Sequence, residues 1–92
     1  MACKKILIHG YVQGVGFRWF IYKNAKTLGI KGYVKNLENG SVEAVLCGEE
    51  DKLNELIKKC YEGPPYAIVN KIDIIEKDEN EEAQYTDFTI EL

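Results

Sequence analysis

The chain has 92 residues, of which 46% are hydrophobic and 29% charged. That length allows one small domain with a modest core and excludes a second; no apolar run approaches the roughly 20 residues of a membrane span. The net charge of −3 argues against nucleic acid or an anionic membrane as partner, but the total hides a segregation. Residues 1–37 hold no Asp or Glu and seven bases: Lys4, Lys5, Arg18, Lys23, Lys26, Lys31 and Lys35. Residues 38–92 hold all fifteen acids and five bases, so the balance is +7 in front and −10 behind. The front part suits an anion. Lys4 and Lys5 lead into only three apolar residues, Ile6 to Ile8, which is no signal peptide, so the cytoplasm is the expected location.

In chain order, residues 3–9 read as a strand, with Ile6 and Ile8 on one face and Lys5 on the other. Gly10-Tyr11-Val12-Gln13-Gly14-Val15-Gly16 follows as a loop with three glycines. Phe17, Phe20, Ile21, Ala25 and Leu28 then recur at helical spacing, and Gly29 is placed to end that helix. Residues 30–36 read as a second strand. Asn39-Gly40 signals a tight turn into a third, 41–47, where Val42, Ala44 and Leu46 alternate with Ser41, Glu43 and Val45.

A second helix is expected over about 49–61. It has acids in its first turn, Leu53, Leu56, Ile57 and Cys60 as its buried stripe, and Gly63-Pro64-Pro65 as its stop. Residues 68–75 read as a fourth strand, 76–82 as a solvated acidic connection, and 85–92 as a fifth strand. The order β-α-β-β-α-β plus a short C-terminal strand implies an α+β ferredoxin-like sandwich: an antiparallel-type sheet, strand order 4-1-3-2, with both helices on one face. Strands 1 and 2 are then parallel. The glycine loop leaving strand 1 and Asn36 ending strand 2 therefore share one edge of the sheet.

Three glycines ahead of a helix let successive N–H groups turn toward one point, and the helix N-terminus adds its own. Arg18 can grip two phosphate oxygens at once, yet it opposes the helix dipole, a broken local rule that marks a functional suspect. The bland alternatives are a tight turn beside a solvated base, and an Asn that merely ends a strand before a turn. The loop is neither a Walker A motif nor a dinucleotide fingerprint, since no Gly-Lys-Ser/Thr and no Gly-x-Gly-x-x-Gly is present.

Two segments carry a resemblance. Gly10-Tyr11-Val12-Gln13-Gly14-Val15-Gly16-Phe17-Arg18 resembles the first acylphosphatase signature, and Gly32-Tyr33-Val34-Lys35-Asn36-Leu37-Glu38-Asn39-Gly40-Ser41-Val42-Glu43 the second. The likeness extends over nearly the whole chain, 1–92, as one acylphosphatase-like domain. It implies a sandwich enzyme hydrolysing carboxyl-phosphate mixed anhydrides such as acetyl, carbamoyl or phosphoglyceroyl phosphate, with inorganic phosphate as product and inhibitor. It further implies that Arg18 and the N–H groups of Gln13, Gly14, Val15, Gly16 and Phe17 bind the phosphoryl group, that Asn36 orients water, and that the protein is a monomer. A carboxylate leaving group with pKa near ~4 needs no protonation, so neither a metal nor another cofactor is expected.

Other residues receive blander readings. His9, the one histidine, fills the open face of the sheet; Trp19 and Tyr22 pack; Tyr11 and Tyr66 either pack or shape substrate preference. Cys60 belongs to the core. Cys3 and Cys47 share the outward parity of neighbouring antiparallel strands, so a disulfide there is sterically possible, although a reducing cytosol argues against it. Two other functions remain to be weighed: a non-catalytic anion-binding module and an RRM-like RNA binder. The latter lacks paired aromatics on strands 1 and 3 and carries Glu43 on the exposed face.

Overall fold

Ile6 and Ile8 are wholly buried while Lys5, Leu7 and His9 between and beside them are half-buried, so the first strand presents one apolar face. The computed structural model describes residues 2–78, 80 and 84–92. Along them run β1 (Ala2–Tyr11), α1 (Phe17–Leu28), β2 (Lys31–Asn36), β3 (Val42–Gly48), α2 (Glu50–Glu62), β4 (Ile68–Lys77) and β5 (Phe88–Glu91). The strands form one sheet in the order β4-β1-β3-β2-β5. β3 pairs antiparallel with both β1 and β2, so β1 and β2 run parallel, as the element order predicts.

The apolar face of the sheet, carrying Ile6, Ile8, Val34, Val42, Ala44 and Leu46, meets Ile21 and Ala25 of α1 and Leu53, Leu56, Ile57 and Cys60 of α2 in one core. Each buried Ile or Leu contributes roughly 1.5–3 kcal/mol by leaving water. That burial holds helices of 12 and 13 residues that would be marginal alone. At Gly32 (φ 137) β2 approaches β3 so closely that a Cβ would stand 1.8 Å from the Val45 carbonyl oxygen, so only glycine fits.

Several sequence expectations change. The sheet is mixed, not antiparallel-type, because β5 lies outside β2 and parallel to it. β5 covers an edge that β2 would otherwise leave bare, and Phe88 drops into the core beside Tyr22. The strand is also shorter than the expected 85–92, since the chain bends at Thr86 and Asp87. There the Asp87 carboxylate accepts from the Phe88 N–H at 2.8 Å and from Lys26 Nζ at 2.6 Å.

β4 runs on to Lys77, so Glu76 belongs to a strand and not to the solvated connection expected over 76–82; it stands opposite Lys4, with the charges 3.8 Å apart. Glu79, Glu81 and Glu82 of that connection lie outside the described residues.

Glu43 is on the outer face but buried, at 7% exposure. The Tyr33 hydroxyl donates to it at 2.8 Å, and Lys5 and Lys35 lie 3.4 and 3.7 Å away, their aliphatic stems covering the face. Burial opposes ionisation of Glu43, but the Tyr33 bond and the two lysines outweigh it and hold the carboxyl below its usual range. On this same face Cys3, Val45 and Cys47 form a second small cluster against Tyr33 and Tyr85. Cys3 and Cys47 are register partners with Cα atoms 4.1 Å apart, joined in a disulfide. Cys60 is the free cysteine among the described residues, and burial pushes its thiol up to about 12.

Candidate active site

Gly14 (φ 75) and Gly16 (φ 82) hold the loop between β1 and α1 in left-handed backbone, which costs a residue with a Cβ roughly 1–2 kcal/mol. A Cβ at either position would meet nothing within 4 Å, so these glycines serve conformation and not packing. Among the described residues no protein acceptor takes the N–H groups of residues 13–17. Gly16 caps α1 without a side-chain bond, and no acid stands in that helix's first turn, whereas α2 opens on Glu50 and Asp51. The positive end of α2 is thus compensated and that of α1 is left bare.

Arg18 stands in this bare first turn. Its Nη1 donates to the Glu91 carbonyl at 3.3 Å, a long bond, and it has no carboxylate partner among the described residues. A guanidinium offers five N–H donors, so most remain for a ligand. Asn36 closes β2, and among the described residues nothing hydrogen-bonds its carboxamide.

Parallel β1 and β2 bring the two segments to the same end of the sheet, and Gln13 ties them. Its Nε2 donates to the carbonyls of Leu37 at 2.7 Å and Ser41 at 2.9 Å. The turn it grips is closed by the Leu37 N–H on the Ser41 carbonyl at 2.9 Å and the Ser41 N–H on Asn39 Oδ1 at 2.9 Å.

The result is a pocket of about 200 Å³ lined by Val12, Gly14, Gly16, Phe17, Arg18, Trp19, Asn36, Ile90 and Leu92. Among the described residues, Arg18 is the one charged side chain in that lining. Of the other predicted loop residues, Gln13 lies behind the pocket as the tie just described, and Val15 packs against the core. Trp19, expected to pack, is instead 58% exposed on the pocket rim, with Tyr22 stacked against it at 5.4 Å. Tyr11 and Tyr66 are exposed and do not line it.

His9 lies on the outer face, where Nε2 donates to Asp73 Oδ2 and Nδ1 accepts from Ser41 Oγ, both at 2.9 Å; the partners set this tautomer. That hydrogen bond, with Lys71 nearby, holds the Asp73 carboxyl below its usual range. Ile90 and Leu92 were not legible as pocket residues, because their place depends on which edge β5 joins.

A pocket that joins a glycine loop, an Arg with no carboxylate partner and an Asn with no hydrogen-bonded carboxamide among the described residues narrows the field, and comparison with known proteins closes it. The family model described as Acylphosphatase matches residues 4–90. The chain belongs to the acylphosphatase family. A Caldivirga maquilingensis acylphosphatase is 51% identical over 71 residues, which cover 76% of this chain and 75% of that protein. One from Thermotoga petrophila is 42% identical over 90 residues, covering 98% and 97%. The crystal structure of the acylphosphatase from Bacillus subtilis matches with a TM-score of 0.94 at 33% identity, over 100% of both chains. The acylphosphatase family hydrolyses acyl phosphates, and this chain is an enzyme of that class. Among the described residues, no helix is long and apolar enough to cross a membrane.

Proposed function

We propose that Arg18 and the N–H groups from Gln13 to Phe17 bind the phosphoryl group of an acyl phosphate while Asn36 orients the water that attacks it. The observation that carries this reading is the convergence on one pocket, at the bare N-terminus of α1, of a guanidinium and a carboxamide that have, among the described residues, no carboxylate and no hydrogen-bond partner respectively. The water oxygen forms a bond to phosphorus as the bond from phosphorus to the acyl oxygen breaks, and the bonding pair leaves with the carboxylate. That leaving group, with pKa near ~4, needs no acid. Phosphoryl transfer then asks mainly for positioning and for charge on the equatorial oxygens to be neutralised, which Arg18 and the loop supply. Among the described residues no carboxylate side chain lines the pocket, so the water's proton passes to a phosphate oxygen. A pH–rate profile requiring an ionised enzyme base would contradict that step.

The grip is on the group shared by acetyl, carbamoyl and phosphoglyceroyl phosphate, which are the substrates proposed, with inorganic phosphate as product and inhibitor. Residues 1–92 act as one domain and as a monomer in the cytoplasm. Asn36→Ala tests the division of labour: kcat should fall with KM nearly unchanged, as expected for an interaction made in the transition state. A raised KM at unchanged kcat would make Asn36 a phosphate ligand instead.

A further inference from the structure

The pocket has two unlike sides. The loop, Arg18 and Asn36 are polar and face an anion, whereas Trp19, Ile90 and Leu92 are apolar. About 200 Å³ is roughly the space of six or seven waters at ~30 Å³ each. A phosphoryl group with its attacking water takes up most of it, so the acyl group must leave across the rim.

The rim is built to meet an apolar surface. Trp19 remains 58% exposed while Tyr22 stacks against it at 5.4 Å with the planes 21° apart. Tyr22 is in turn held by Phe88 at 6.4 Å. An exposed indole braced in this way keeps its orientation without being buried, so little side-chain freedom is lost when a ligand covers it. Among the described residues that line the pocket, Arg18 is the one cationic side chain, and the phosphoryl group engages it, so a second negative charge on the acyl group would meet no further cation in the lining.

We propose that Trp19, with Ile90 and Leu92, is the acyl-binding wall of this site and ranks its substrates, flat apolar acyl groups binding best and the doubly charged phosphoglyceroyl phosphate weakest of those named above. The wall rests on the phosphoryl-binding reading above and deepens it. It sets KM for the acyl group without touching the bond that breaks.

Two measurements test it separately from that reading. In the first, KM is compared for benzoyl and acetyl phosphate in wild type, Trp19→Ala and Trp19→Phe. Loss of an aromatic contact should raise KM for benzoyl phosphate roughly 3–10-fold in Trp19→Ala. Acetyl phosphate should change less than about twofold, inhibition by inorganic phosphate should stay constant, and Trp19→Phe should recover most of the loss.

The second uses Trp19 as the chain's one tryptophan. A benzoylphosphonate, which lacks the labile P–O bond, should quench its fluorescence more strongly than acetylphosphonate or inorganic phosphate does. Equal KM changes for both substrates, no change for either, or no preferential quenching would overturn the wall. A wild type that hydrolyses neither substrate but is quenched preferentially by benzoylphosphonate would refute the catalytic reading and keep the wall.

Discussion

Gln13 joins the two halves of the site, and removing it gives a prediction whose size follows from its contacts. Its amide donates two neutral hydrogen bonds, to the Leu37 and Ser41 carbonyls. Such bonds contribute about 0.5–1.5 kcal/mol each. Neither carbonyl is orphaned by their loss, because Leu37 O also accepts from the Gly40 N–H and Ser41 O from the Leu37 N–H. Gln13→Ala should therefore fall in the lower half of the combined range, about 1–2 kcal/mol. In a domain of this size that is a drop of roughly 4–16 °C in Tm.

The effect on turnover should be larger than the effect on folding. Freed from the β2–β3 turn, the glycine loop no longer holds its distance from Asn36, and a misplacement near 1 Å costs on the order of 100-fold in rate. Thermal melts paired with kcat and with phosphate inhibition read both effects. Inhibition should change little, since Arg18 is untouched. Gln13→Glu sharpens the test by setting a carboxylate against two carbonyl oxygens. Its neutral form is favoured in the fold, so its folded pKa is raised; the stability it retains is present below the ordinary glutamate pKa of about 4.3 and lost as pH rises. Wild-type kcat in Gln13→Ala would refute the coupling, even if the melting temperature fell.

Two further outcomes follow from the outer face of the sheet. Glu43 has a depressed folded pKa, so its contribution is present above about 4.3, the ordinary value, and lost as pH falls through the folded one. In acid titrations Glu43→Gln should be less stable than wild type at neutral pH, and the gap should close as pH falls below the ordinary glutamate value of about 4.3. The Cys3–Cys47 bridge closes a sequence separation of 44 residues, for which loop entropy gives about 4 kcal/mol. Denaturant unfolding with and without reductant should show a loss of that order at unchanged kcat, the bridge lying at the far end of β1 from the loop; three free thiols under non-reducing mass spectrometry would contradict it.

The sheet order, both helices and the meeting of the glycine loop with Asn36 were legible because each rests on local signals and one topological rule. Alternation at Ile6 and Ile8 set the inner face, Gly29 and Asn39-Gly40 set the turns, and parallel strands 1 and 2 placed two distant segments at one edge. What the sequence hid depends on pairing between distant residues. β5 has four residues and no periodicity long enough to reveal which edge it joins, so its parallel pairing with β2 and the pocket residues Ile90 and Leu92 were out of reach. Glu76 reads as solvated until Lys4 is seen opposite it. Glu43 reads as exposed until Tyr33, Lys5 and Lys35 close over it. Trp19 stacks on Tyr22 as expected, but its exposure at the pocket was hidden, because an aromatic in a first helical turn has the same spacing whether that turn is buried or borders a pocket.

The central claim is that Arg18 carries the phosphoryl group through the reaction. Phosphate release from benzoyl phosphate, measured for wild type and Arg18→Ala beside a circular dichroism check of folding, tests it most directly. Among the described residues Arg18 makes one long hydrogen bond, so its removal should leave the fold intact. Turnover should fall by more than the ~10²–10³ typical of one neutral oxyanion donor. An Arg18→Ala variant within tenfold of wild type, or a folded wild type that binds phosphate without hydrolysing the substrate, would contradict the account.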